Sequence, residues 1–171
     1  MVKETKDIMK KIKIAKITLN IGAGKNEELL NKGLILLQKL SPQTSVKTVA
    51  KKRIPGWGLR QGLAIGCKVT IRKNAGELLK RLLTAKGNAL STRNFDTEGN
   101  FSFGIPEYID IPGLEYDPKL KIMGLEAAVT LERPGYRIKK RKVKVERVGK
   151  KHLISKDEAI AFMKELGVDV Q

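Results

Sequence analysis

The chain is poor in the residues on which most enzyme chemistry depends. Cys67 is the only cysteine and His152 the only histidine among 171 residues. A disulfide framework, a zinc site or a Cys/His nucleophile pair is not readily built from them. Cys67 is expected to fill a core position and His152 to belong to a basic tail. Aromatic residues make up only 5%, and none pairs with another on the polar strand faces described below, which argues against recognition of single-stranded RNA on aromatic platforms. No apolar run approaches membrane-spanning length. The N-terminal MVKETKDIMKKIKIAK has neither an uninterrupted apolar region nor a small-residue cleavage site, so the expectation is a cytoplasmic protein with no membrane partner.

Acid is also scarce. Against 18 Asp and Glu stand 35 Lys and Arg, a formal charge of +17. Such a field attracts polyanions, and nucleic acid is the leading partner class. The charge is unevenly distributed: residues 47–86 hold eleven bases and one acid, residues 133–151 ten bases and one acid, and residues 87–132 three bases and eight acids. A locally negative section inside a strongly positive chain suggests two different partner surfaces.

Hydrophobic residues, 41% of the chain, suffice for the core of one domain. In KIAKITLNI, Ile17, Leu19 and Ile21 alternate with Lys16, Thr18 and Asn20, the pattern of a strand with one apolar and one polar face. Gly22 and Gly24 end it, and Asn26 caps a helix expected to run to about Leu40, stopped by Ser41 and Pro42. A second strand is expected from Thr44 to Ala50. A third, GCKVTIR, sets Cys67, Val69 and Ile71 against Lys68, Thr70 and Arg72. Asn74 and Glu77 resemble a capping box opening a helix with Leu78, Leu79, Leu82 and Leu83 as its stripe. FSFGI and EAAVTL alternate again, and the acidic IPEYIDIPGLEYDP between them is a loop. Ser155 and Glu158 open a last helix, which Gly167 stops. With no long parallel βαβ run, the fold class is α+β: a mainly antiparallel sheet, helices on one face, the other face polar and basic.

The glycine-rich stretch GWGLRQG imitates a nucleotide-binding loop. A dinucleotide fingerprint requires G-x-G-x-x-G opening a helix, but Gly56, Gly58 and Gly62 are spaced one residue too wide and a strand follows Gly66. A phosphate loop fails as well, since Gly62 leads into LAIG and Cys67 before Lys68. The better reading is a flexible projection between two strands, carrying Lys51, Lys52, Arg53 and Arg60 around Trp57. No cofactor is implied. An RNA-modifying enzyme would need a general acid/base, a metal cluster or an activated nucleophile, and the chain offers no compact set outside the acidic loop, where Asp110, Glu115 and Asp117 read better as a solvated, partner-facing surface than as magnesium ligands.

The segments ITLNIGAG, KTVAKKRIPGWGLRQGLAIGCKVTIR, NFDTEGNFSFGI, YIDIPGLEYDP and GLEAAVTLERPG together resemble the large-subunit ribosomal protein five family, the universal 5S rRNA-binding ribosomal protein. IDIPGLEYDP, TLERPG and the basic tail with its final helix are most similar to the archaeal branch. The resemblance spans nearly the whole chain. It implies a non-catalytic α+β constituent of the large subunit, seated at the central protuberance beside other ribosomal proteins there and on large-subunit rRNA. By the family pattern, Asn20, Gln43 and Thr70 belong to the surface that recognises 5S rRNA, although SPQTSV around Gln43 departs from the commoner G-Q-K-P. Lys16, Thr18, Lys68 and Arg72 join that surface on the strand reading.

The same resemblance assigns loop 51–66, with Lys52, Arg53, Trp57, Arg60 and Gln61, to the elbow of the peptidyl-site tRNA. It assigns the acidic loop, with Glu107, Asp110, Glu115 and Asp117, to a bridge with small-subunit ribosomal protein thirteen. Arg137, Lys139, Lys140, Arg141 and Lys142 would lie on rRNA phosphates in a tail that orders on binding. The expected organisation is an α+β RNA-binding domain over residues 1–132, with residues 133–171 adding the basic tail and a C-terminal helix packed on the same domain.

Overall fold

A computed structural model describes residues 8–171. Five strands form one antiparallel sheet: β1 (Lys13–Gly22), β2 (Val46–Val49), β3 (Ala64–Ile71), β5 (Phe101–Ile105) and β6 (Leu125–Glu132), in the order β2-β3-β1-β6-β5. β1 is central and pairs with both β3 and β6. Its register places Ile17 beside Ile71 and Val129, and Leu19 beside Val69 and Ala127. Because side chains alternate with period two, this register gathers the apolar sets of β1, β3, β5 and β6 onto one face; the edge strand β2 is the exception, with Val46, beside Lys68, and Val49 both exposed. Ile17, Leu19, Val69, Ala127, Val129 and Phe103 are all buried.

That face is covered by helices. α1 (Glu27–Leu40) begins where the Asn26 side chain accepts a hydrogen bond from the Leu29 amide at 3.1 Å, and it buries Leu30, Gly33, Leu36, Leu37 and Leu40. Gly33 permits the closest approach: a Cβ there would meet Cys67 Sγ at 2.8 Å. Cys67 is fully buried, as expected, and burial pushes its thiol up to about 11. α2 (Ala75–Ala85) turns Ala75, Leu78, Leu79, Leu82 and Leu83 inward. Its start differs from the expected capping box. Asn74 takes a left-handed conformation at φ 54° in place of the extended backbone of a capping residue, and its side chain makes no capping bond.

The final helix α3 (Lys156–Glu165) has the expected box, with Ser155 and Glu158 each accepting the other's backbone N–H, and its backbone turns left-handed at Gly167. A two-stranded parallel pair, β4 (Ala89–Leu90) with β7 (Asp169–Val170), joins the end of the chain to the segment after α2. Strands of two residues are too short to leave a periodic trace in a sequence, and alternation points to neither of them.

Candidate nucleic-acid interface

The uncovered sheet face is set by the same register. Thr18 lies between Thr70 on β3 and Ala128 on β6, and Asn20 lies between Lys68 and Glu126. Lys16 stands beside Thr130, and β5 continues the rows with Ser102 beside Ala128 and Gly104 beside Glu126. Pairing therefore brings Lys16, Thr18, Asn20, Lys68 and Thr70 onto one surface. Arg72 follows directly beyond the end of β3 and is exposed. The surface is largely polar, with Val46 of β2 exposed beside Lys68, and its charge is mixed, since Glu126 and Glu132 share it with Lys16 and Lys68. Asn20 donates to Glu126 Oε2 at 3.4 Å.

Gln43 is not on this face. It sits half-buried in the α1–β2 connection, its backbone N–H donating to Ser41 Oγ at 3.2 Å. There it lines a hollow with Ile71, Lys73 and Asn74 at the end of β3. Sequence reasoning missed another contributor: Lys86, just past α2, lines the hollow over Thr18, Asn20, Ser102 and Gly104. Its place in a sequence block rich in bases gave no hint of which strand it would reach.

The glycine-rich projection is a built hairpin rather than a free loop. Ile54 and Leu59 exchange two backbone hydrogen bonds, each 3.0 Å, around a single turn at Pro55–Trp57. Gly58 closes that turn at φ 59°, a left-handed conformation that costs any other L-residue energy. Ala50 and Leu59 are buried and fasten the base, where Gly62 N–H donates to Ala50 O at 2.9 Å. Trp57 does not fold back: it is 71% exposed at the tip. Lys52, Arg53, Arg60 and Gln61 are exposed around it. Lys25 adds a cation from the turn between β1 and α1, for a Cβ on Gly58 would lie 2.0 Å from its Nζ. No linear motif links positions 25 and 58.

The acidic loop is anchored by apolar residues and ends in an internal clamp. Tyr108, Ile111 and Leu120 are buried, and the Tyr108 hydroxyl accepts the Asp117 N–H at 3.0 Å. Asp117 itself bonds Lys39 at 2.7 Å and accepts the Lys119 N–H at 3.0 Å. The Lys39 hydrogen bond, followed by that of the Lys119 amide, holds its carboxyl below the ordinary range. Glu107, Asp110 and Glu115 are exposed and make no ion pair among the described residues. No group of three His, Cys, Asp or Glu converges on a metal-sized site among those residues.

The C-terminal basic segment is pinned at both ends, which differs from a tail that orders only on binding. Buried Arg133 bonds Glu158 at 2.7 Å and donates to the carbonyls of His152 and Leu153. The Tyr136 hydroxyl donates to His152 O and accepts the Ile154 N–H at 3.1 Å. His152 is accordingly half-buried, edge-on to Tyr136, rather than part of a solvated run. Between the pins the cations face outward. Lys139 lies over the Tyr136 ring, Lys140 pairs with Glu132, and Arg141 donates to Lys144 O. Arg137 and Lys142 are exposed with no carboxylate partner among the described residues.

These features define a small, strongly basic α+β protein with an open polar sheet face and two cationic outgrowths, a surface suited to a polyanion. A model for the C-terminal part of the ribosomal protein L5 family matches residues 64–168, and one described as ribosomal protein L5 matches residues 7–60. The chain belongs to the ribosomal protein L5 family. It is 50% identical to the large ribosomal subunit protein uL5 of Nanoarchaeum equitans, over 95% of this chain and 97% of that one. The protein of the same name from Methanococcus maripaludis is 47% identical over 92% and 90%, and that of Sulfurisphaera tokodaii 43% over 95% and 93%. No helix among the described residues is long and apolar enough to cross a membrane.

Proposed function

We propose that the protein docks 5S rRNA on its open sheet face, presents the glycine hairpin to the peptidyl-site tRNA, and offers the acidic loop to small-subunit ribosomal protein thirteen. As a member of the ribosomal protein L5 family it is a component of the large ribosomal subunit in the cytoplasm, and not an enzyme. The observation that carries the 5S reading is the alignment of Thr18 with Thr70 and of Asn20 with Lys68 on the face opposite the helices. Hydroxyl, amide and ammonium groups in adjacent rows offer donors and acceptors to riboses, base edges and phosphates, the mixture by which folded RNA is recognised.

Support for the hairpin's role is its exposed tryptophan among cations on a hydrogen-bonded, glycine-closed turn. A tRNA backbone can approach such a tip closely. The exposed carboxylates of Glu107, Asp110 and Glu115 suit a basic protein partner, because opposite charge favours encounter without demanding one register. The outward cations of residues 137–142 suit rRNA phosphates. Gel-shift titration with isolated 5S rRNA tests the central assignment. Asn20→Ala and Thr70→Ala should each weaken binding several-fold, while unaltered affinity in both would remove the sheet face from the interface.

A further inference from the structure

The open face holds a carboxylate where a polyanion is to bind. Glu126 is exposed, and its contact is with an amide, the Asn20 side chain at 3.4 Å; no lysine or arginine pairs with it among the described residues. It stands in a row of small groups, with Gly104 beside it on β5 and Ala128 two positions further along its own strand. A shallow hollow results, lined by Thr18, Asn20, Lys86, Asn94, Ser102 and Glu126. Toward phosphate such a carboxylate is repulsive. Toward a base it is an acceptor with two oxygens and no donor.

Among the four bases only guanine presents two adjacent N–H donors, N1–H and the N2 amino group, on its Watson–Crick edge. Adenine and cytosine place their one amino group beside a ring acceptor, and uracil flanks its N–H with carbonyls. We infer that Glu126 reads the Watson–Crick edge of an unpaired guanosine seated in this hollow. Asn20 holds the carboxylate in place, and the Lys86 ammonium neutralises the adjoining phosphate. Unstacked bases in RNA loops are recognised in this manner. The inference rests on the 5S reading above and adds a base identity to it.

The test is nucleotide-analogue interference on the full-length protein. 5S rRNA and a large-subunit rRNA fragment are transcribed separately with sparse phosphorothioate-tagged inosine, which lacks the N2 amino group, and the bound pool is sequenced. Wild-type protein should show interference at one unpaired guanosine. Glu126→Gln, a surface change that keeps the shape and an acceptor for Asn20, should weaken binding about tenfold, the scale of one lost bidentate base contact, and should erase that interference.

Equal or tighter binding by Glu126→Gln would identify Glu126 as a repulsive surface charge and overturn the inference. Interference centred on another position and unchanged by the variant would also overturn it. If wild-type protein failed to bind 5S rRNA yet showed the same Glu126-dependent guanosine signal on the large-subunit fragment, the 5S reading would fall and the base reading would stand. Binding to neither RNA would overturn both.

Discussion

Two single residues, Cys67 and Gly58, account for much that is particular to this protein. Cys67 faces α1 at the position where Gly33 allows the helix to approach β3, and its thiol is raised to about 11 by burial. At pH 8 the native thiol should therefore resist aromatic disulfide reagents and react in full once denaturant is added; rapid labelling of the native protein would contradict its burial. Gly58 combines a left-handed backbone with the Lys25 ammonium lying over it. Gly58→Ala should lower stability by about 1–2 kcal/mol, read by chemical denaturation, because a left-handed non-glycine residue costs roughly that much. Left-handed glycines were not distinguishable by sequence alone. GWGLRQG contains three glycines, of which Gly58 and Gly62 take positive φ and Gly56 does not.

Among the elements, the hairpin and the pinned basic segment divide the surface into separable parts. Deleting Ile54 to Gly62 should leave 5S rRNA affinity nearly unchanged in gel shifts while impairing tRNA-dependent steps in a reconstituted translation assay; loss of 5S binding would refute this separation. Arg133→Met should cost about 1–3 kcal/mol, less than a fully buried pair because Glu158 is 45% exposed.

The two clamps also set a pH dependence. The Ser155 amide, with Arg133 as a further contributor, lowers Glu158, and Lys39 lowers Asp117. A depressed carboxyl contributes stability that is present above its unfolded value and is lost as pH falls through the folded one. Acid melting should thus steepen below about pH 4, and Lys39→Met should flatten that limb of the curve in thermal denaturation. The five strands of the main sheet and the three helices were legible in the sequence because alternation and helical apolar spacing are local, whereas the two-residue β4 and β7 and the uncapped start of α2 were not. The pins were not, since Arg133 meets Glu158, and Tyr136 meets Ile154, across turns that no periodicity encodes.

For the molecule as a whole, the charge of +17 predicts that the logarithm of RNA affinity falls linearly with that of salt, by roughly 0.9 per neutralised duplex phosphate. Arg137→Ala with Lys142→Ala should reduce that slope without changing which RNA is preferred, as competition titrations would register. Composition alone determined the attraction to polyanions and the absence of Cys/His chemistry, because net charge and residue counts do not depend on folding. Alternation determined which side of β1, β3, β5 and β6 is polar, because the pleat repeats every two residues wherever a strand forms. Tertiary structure decided the rest. Only the tertiary fold set Asn20 between Lys68 and Glu126, brought Lys86 over the same face, seated Gln43 in the hollow at the end of β3 and laid Lys25 against Gly58. Such neighbours are fixed by strand register and helix docking, which depend on the whole core closing at once rather than on any segment.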